Sequence, residues 1–336
     1  MSNSASKPKP CFSNLPWFLK DKIIDDVVDD ADLIKRCGLR KLSKAFMAHI
    51  DPLVPHFDQI TIKLGADLVR FIFHFNGNEL LIKYRKGPFF KLRITNWHHV
   101  LGGPNHVQRA IRDILVFLKS SSVTVGMLSI GFDEFYRQTP SCIRDRQVFL
   151  EEFNSKLGLL PHKLHVTNLN IACTDEVDIL YILPHLTPGT LEDIDIEVIA
   201  SDKRLERVVQ LEQWQQAKMV RCQGFSGIPV SAMVHLKRGV FTNQSYVLEL
   251  EEFRQLYQTL MANPTFQEFR AEVAFNFDEF NAFVSQFPRR NRFYRDYRYI
   301  AIPNTNRSMG ISIDKSFSGN TAISLWVEGR RGRRRR

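Results

Sequence analysis

Between Phe57 and Asn96 the apolar residues fall in short runs with strand-like spacing. They are Ile60-Thr61-Ile62-Lys63-Leu64, Leu68 to Phe75, Leu80 to Tyr84 and Phe89 to Ile94. Asn76-Gly77-Asn78 separates two of these runs. An Asn-Gly pair between apolar segments suits a tight hairpin, because both turn positions need positive φ. Lys86-Gly87-Pro88 marks a further turn. The pattern predicts an antiparallel patch of three or four strands. The period then changes. Val107 to Leu118 reads as an amphipathic helix, Val123 to Ile130 as a strand and Arg144 to Leu157 as a second helix.

A longer repeat begins inside this region. The arrangement apolar-x-x-apolar-x-apolar occurs as Val125/Leu128/Ile130, Val166/Leu169/Ile171, Leu191/Ile194/Ile196 and Ala217/Val220/Cys222. The last three copies start 25 and 26 residues apart. Weaker copies follow at Leu236/Gly239/Phe241 and Phe266/Phe269/Ala271. The intervening segments Val177 to Leu186, Arg204 to Gln215 and Leu250 to Met261 read as helices. A strand followed by a helix at this period is the pattern of a leucine-rich-repeat-like solenoid, in which each unit covers its neighbour's apolar face. The repeated asparagine usual in such solenoids is missing, so irregular units are expected. A conventional α/β layer fold with a mixed sheet satisfies the same pattern. Beyond the repeats, Phe293 to Ile302, Ser308 to Ile313 and Thr321 to Val327 read as strands of a terminal meander that covers an open sheet edge.

The start of the chain has a third pattern. After Leu15-Pro16, the residues Leu19, Ile23, Ile24 and Val27 share one helical face, and Leu33, Ile34, Leu39, Leu42, Phe46 and Ile50 continue an apolar spacing of three or four. Proline suits the first turn of a helix, where its missing N–H costs nothing. The spacing predicts two or three short amphipathic helices, too few to bury a core alone. Their apolar surface is expected to meet a partner or the rest of the chain.

Composition narrows the class. Of the 336 residues, 44% are hydrophobic and 24% charged, the balance of a globular chain. No apolar run reaches the roughly twenty residues that a membrane-spanning helix needs, and MSNSASKPKPCF at the start has no signal-like apolar core. It reads as a disordered leader. The five cysteines, Cys11, Cys37, Cys142, Cys173 and Cys222, are scattered, with no C-x-x-C pair. That argues for a reducing compartment, cytoplasmic or nuclear, and against a disulfide framework or a zinc site. The net charge is +10, but the six arginines of the terminal GRRGRRRR account for all but +4 of it. The excess charge therefore belongs to a tail, as either a phosphate-binding or nuclear-import patch or a solvated terminus.

Two stretches resemble known families. Leu15-Pro16, Ile23-Ile24, Val27 and LRKLSKAF (Leu39 to Phe46) resemble an F-box, although Trp17 and Phe18 stand where that family usually has an acidic residue. The resemblance implies docking on a Skp-type adaptor of a cullin ubiquitin ligase through Leu15, Pro16, Ile23, Ile24, Val27 and Leu42. ILPHLTPGTLEDIDI (Ile182 to Ile196), QLEQWQQAKMV (Gln210 to Val220) and the final hairpin resemble the FTH domain, over about residues 120 to 327. That domain is paired with an F-box, in this order, in a large nematode protein family. By resemblance its part is capture of a protein substrate.

Candidate chemistry is sparse. His98-His99 converge poorly on one metal, since adjacent strand residues face opposite ways. His162 and His165 flank a repeat strand. No phosphate-binding glycine loop or nucleophile elbow occurs. Neither a cofactor nor a metal is expected, and no catalytic residue is nominated. Trp214 reads as core packing or as a partner hot spot. The run Pro288 to Tyr299 mixes arginines with aromatics. It reads as an alternating strand or, together with the arginine tail, as a nucleic-acid-binding surface.

The reading is therefore α+β: a leader at 1–13, a small helical F-box at 14–52, an antiparallel strand patch and helix at 53–119, an irregular leucine-rich-repeat-like body at 120–328 with antiparallel strands at its ends, and a basic tail at 329–336. The expected function is non-enzymatic substrate recognition in a Skp-cullin-F-box ligase. The alternative is a basic nucleic-acid-binding protein that uses residues 288–299 and the tail.

Overall fold

The Asn76-Gly77 hairpin is present as expected. Asn76 has φ 49° and Gly77 has φ 73°, the left-handed pair that such a turn demands. The computed structural model describes residues 56–87, 93–95, 98–102, 105–132, 140–198, 204–224, 228–242, 249–273, 276–288, 297–302, 305, 307–315 and 321–329. The helices expected between Leu15 and Ile50, with all six adaptor-docking residues, lie outside these residues. So does the arginine tail.

The hairpin joins β2 (Leu68–Phe75) to β3 (Asn78–Arg85), and β2 also pairs antiparallel with β1 (Phe57–Gly65). Short strands β4 (Arg93–Thr95) and β5 (His98–Gly102) complete this end. β5 runs parallel to β3, which the hairpin logic of the sequence did not foresee. After α1 (His106–Leu118), β6 (Thr124–Phe132) pairs parallel with β1. α2 (Pro140–Leu157) follows, and then a run of parallel strands laid down in chain order: β7 (His165–Cys173), β8 (Asp193–Val198), β9 (Met219–Gln223), β10 (Arg238–Thr242) and β11 (Glu268–Val273). β14 (Thr321–Gly329) pairs antiparallel with β11, and β13 (Arg307–Lys315) and β12 (Tyr297–Ala301) extend the sheet as the expected meander. The described strands form one sheet of 14, with six α-helices: a mixed α/β architecture consistent with α+β.

The register explains the sheet. The repeat residues Leu128, Leu169, Ile194 and Val220 lie side by side on successive strands, and Ile130, Ile171, Ile196 and Cys222 form a second row beside them. Both rows run on into β1 at Ile60 and Ile62 and into β14 at Leu325 and Ile323. All these side chains are buried. Where the repeat weakens at Gly239, two rings fill the gap. A Cβ there would come within 2.8 Å of Phe241 and 3.2 Å of Phe269.

The connections are shorter than the sequence suggests. Val177 to Leu186 divides into α3 (Glu176–Leu180) and a 3-10 turn at Leu183–His185, with Pro184 inside that turn. Proline blocks a continuous helix by removing a donor. Arg204 to Gln215 likewise divides into a 3-10 turn at Val208–Gln210 and α4 (Glu212–Gln215), parted at Leu211, whose ψ of 141° is extended. Of the three helices expected between repeats, only α5 (Leu250–Ala262) keeps its expected length. α6 (Phe277–Ser285) was not expected. It packs Phe280 and Phe283 against Phe253 of α5, with ring centroids 5.4 and 6.1 Å away.

A buried ion pair ties α2 to the turn after β7. Arg146 (2% exposed) donates through Nη2 to Asp178 Oδ2 (1% exposed) and, at 2.6 Å, to Thr174 Oγ1. Asp178 Oδ2 also accepts from the Thr174 amide at 2.8 Å. Asp175 caps α3 by accepting from the Val177 amide at 2.9 Å. Glu176 in turn accepts from the Arg207 and Val208 amides at 2.5 and 2.9 Å, holding the next repeat's turn in place.

Candidate functional site

Alternate side chains of a strand point to opposite faces of its sheet. One face carries the two apolar rows, and the buried sides of the helices join those rows in a single core cluster. Among the described residues no helix lies on the other face. That open face carries Asp193, Asp195 and Glu197 on β8, Arg221 on β9, Arg238 on β10, and Glu268, Arg270 and Glu272 on β11. The register sets Asp195 beside Arg221, and Arg238 between Met219 and Glu268. β7 contributes the short polar side chains Asn168 and Asn170.

The charges on this face are partly matched. Arg221 Nη1 lies 3.6 Å from Asp195 Oδ2, and Arg270 Nη2 lies 3.3 Å from Glu272 Oε1. Burial pushes the Asp195 carboxyl upward, and Arg221 partly opposes that shift. Past β11 the face turns aromatic. Trp326 lies over Gly310, where a Cβ would meet the indole at 2.3 Å, so glycine is required beneath that ring. Tyr299 meets Trp326 edge-on, with centroids 6.2 Å apart at 85°. Arginine, tryptophan and tyrosine around a half-buried surface are the residue types enriched at protein interfaces. No group of three or more histidine, cysteine, aspartate or glutamate side chains among the described residues is arranged to hold a metal ion.

Sequence reasoning passed over this face. Its residues occupy the x positions of the repeat, which no periodicity marks, and only the pairing of strands brings Asp195, Arg221 and Arg270 together.

Apart from Tyr299, the singled-out residues fall elsewhere. Trp214 is fully buried, and its Nε1 donates to the Ala232 carbonyl at 2.9 Å, so it is core and not an exposed hot spot. Cys173 and Cys222 are buried, and burial pushes both thiols well up from their ordinary value, the protonated and unreactive side. His98 and His99 sit on β5, opposite Leu81 and Ile82 in the register. His162 precedes β7, and His165 begins it. Of the Pro288 to Tyr299 run, Tyr297 to Tyr299 lie in β12 and residues 289–296 lie outside the described residues.

A second feature lies at the N-terminal edge of the parallel strands. A groove of about 530 Å³ opens there, lined among others by Lys218, His235, Lys237, Thr265, Gln267 and Arg307. His235 Nε2 lies 2.9 Å from the Trp214 carbonyl, and burial lowers the pKa of its ring.

No curated protein and no solved structure matches the chain. A family model does match, at residues 147–290, from within α2 to just past α6. It is the model of the FTH domain, and it covers the parallel strands β7 to β11 and stops short of the final meander.

Proposed function

We propose that this chain is the substrate-recognition subunit of a Skp-cullin-F-box ubiquitin ligase, acting in the cytoplasm or nucleus. The observation that carries the reading is the FTH-domain match at residues 147–290, a domain commonly associated with F-box proteins. Two further features support it. The parallel strands follow chain order with their apolar rows in register, which favours a leucine-rich-repeat-like body over a doubly wound one. The end of the open face beyond β11 carries Trp326 and Tyr299, residue types enriched at protein interfaces. In this reading Leu15, Pro16, Ile23, Ile24, Val27 and Leu42 bury apolar area on the adaptor, and the open face holds the target. The chain makes and breaks no bonds. It contributes proximity, holding a lysine of the target near the conjugating enzyme that the scaffold carries.

The test is co-purification of the full chain with a Skp-type adaptor. Ile23→Asp or Val27→Asp abolishes capture and leaves the circular dichroism of the body unchanged. Capture that persists undiminished in both variants overturns the docking model.

A further inference from the structure

The groove at the N-terminal edge of the sheet is built by the repeat itself. The residue just before each parallel strand hands its carbonyl to the next unit. Lys218 and Met219 donate their amides to the Glu192 carbonyl at 2.8 and 3.0 Å. Lys237 and Arg238 donate to Lys218 at 2.8 and 3.1 Å, and Gln267 donates to Lys237 at 2.9 Å. Glu192, Lys218, Lys237 and Gln267 therefore form one row, at the roughly 4.8 Å spacing of neighbouring strands.

The charge along this row is unbalanced. Glu192 is ion-paired to Lys218. Among the described residues no carboxylate lies within ion-pairing distance of Lys237, the next in line. Arg307 faces the same groove. Its Nη1 and Nη2 donate to the Pro264 and Phe266 carbonyls at 2.8 and 3.0 Å, which fixes the guanidinium and leaves its charge without a carboxylate partner among the described residues. None of the ten residues lining the groove is an aspartate or glutamate. Gln215, Gln216 and Thr265 add neutral hydrogen-bonding groups along the wall.

We propose that this groove takes an acidic peptide segment of the target protein, with Lys237 and Arg307 binding its carboxylates. The proposal rests on the substrate-recognition reading above and names its substrate class. Charge complementarity identifies the occupant, since Lys218, Lys237 and Arg307 line a groove whose wall has no aspartate or glutamate, and such a surface favours carboxylates. A peptide fits better than single-stranded nucleic acid because no phenylalanine, tyrosine or tryptophan lines the groove, and its one imidazole, His235, is held on the Trp214 carbonyl, so stacked bases would have no run of aromatic platforms. The neutral side chains of the wall suit a peptide backbone.

The test uses the full-length chain with three fluorescent probes: an oligoglutamate peptide, an oligolysine peptide of the same length, and a single-stranded oligonucleotide. The oligoglutamate peptide binds, and Lys237→Glu weakens it about tenfold or more, while Lys237→Arg leaves binding within about twofold. Arg307→Gln also weakens binding. Because Arg307 holds two backbone carbonyls, its variant is compared at matched thermal stability, and Lys237→Glu remains the primary arm. Equal binding of both peptides, an unchanged affinity in Lys237→Glu, or preferential binding of the oligonucleotide overturns the proposal. Adaptor capture is measured on the same samples. Its loss with peptide binding intact removes the ligase reading and spares the groove, and the reverse result removes the groove alone.

Discussion

Asp178 shows how one side chain organises a repeat. Its carboxylate meets Arg146 from α2, and it also accepts from Thr174 and Asp175 at the start of the α3 turn. Arg146 Nε and Nη1 have no hydrogen-bond partner among the described residues, although the guanidinium carbon lies 4.9 Å from the Phe132 ring centre. A buried charge that loses its partner is left uncompensated, whereas an apolar pair of similar volume avoids both desolvation costs. Asp178→Ala should therefore lower unfolding free energy by about 3–5 kcal/mol. The double variant Arg146→Met with Asp178→Leu should recover most of that loss. Urea denaturation of the wild type and the two variants measures both effects, and a double variant no more stable than Asp178→Ala would refute the account. Neither residue had a mark in the sequence: Arg146 and Asp178 are 32 positions apart, and only the packing of α2 on the β7 turn pairs them.

At the scale of elements, the junction between β1 and β6 decides whether the hairpin end joins the repeats. The backbones approach closely there. A Cβ on Gly126 would lie 2.6 Å from the Asp58 carbonyl oxygen, and backbone cannot yield cheaply. Asn168 Nδ2 also binds the Gly126 carbonyl at 2.9 Å, which locks β7 to the same point. Gly126→Ala should cost about 1–3 kcal/mol. Gly131→Ala on the same strand, where the nearest atom is a methyl at 3.7 Å, should stay within about 0.5 kcal/mol of wild type. Equal midpoints for the two variants in chemical denaturation would contradict this junction. The element types themselves were readable. Period-two runs, the Asn-Gly turn and the repeated triplets identify nearly every described strand, because half-buried strands must alternate. The connections between repeats were less readable. An amphipathic pattern such as Leu205, Val208 and Val209 specifies which residues face the core, but not that a 3-10 turn suffices to cover it.

For the whole molecule, stability should depend on pH through two partly buried histidines. Burial lowers the pKa of His185, which lies 2.7 Å from Asn154 Oδ1, and of His235 on the Trp214 carbonyl. Both favour the neutral form in the folded state. Their contribution is complete above the unfolded histidine value of 6.5 and is lost as pH falls from there toward the lower folded values. Denaturation midpoints should thus fall between about pH 7.5 and about pH 5.5. His185→Gln with His235→Gln should flatten that slope, and an unchanged slope would rule these residues out. Asp195 acts in the opposite sense at lower pH: its carboxyl is raised by burial, so its contribution declines as pH rises from the unfolded value of 3.8. The sequence by itself determined which residues are inward and how often the unit recurs, because burial of apolar side chains is a local, periodic requirement that each strand must satisfy. Its resemblance to the FTH domain rested on the same buried residues, with Trp214 and Ile194 among them. Only the tertiary structure decided that Ile60, Leu128, Ile194 and Leu325 belong to one row, and that Lys218, Lys237 and Arg307 line one groove. Those relations join residues far apart in the chain through strand pairing, and outward-facing side chains obey no periodicity that a linear pattern can carry.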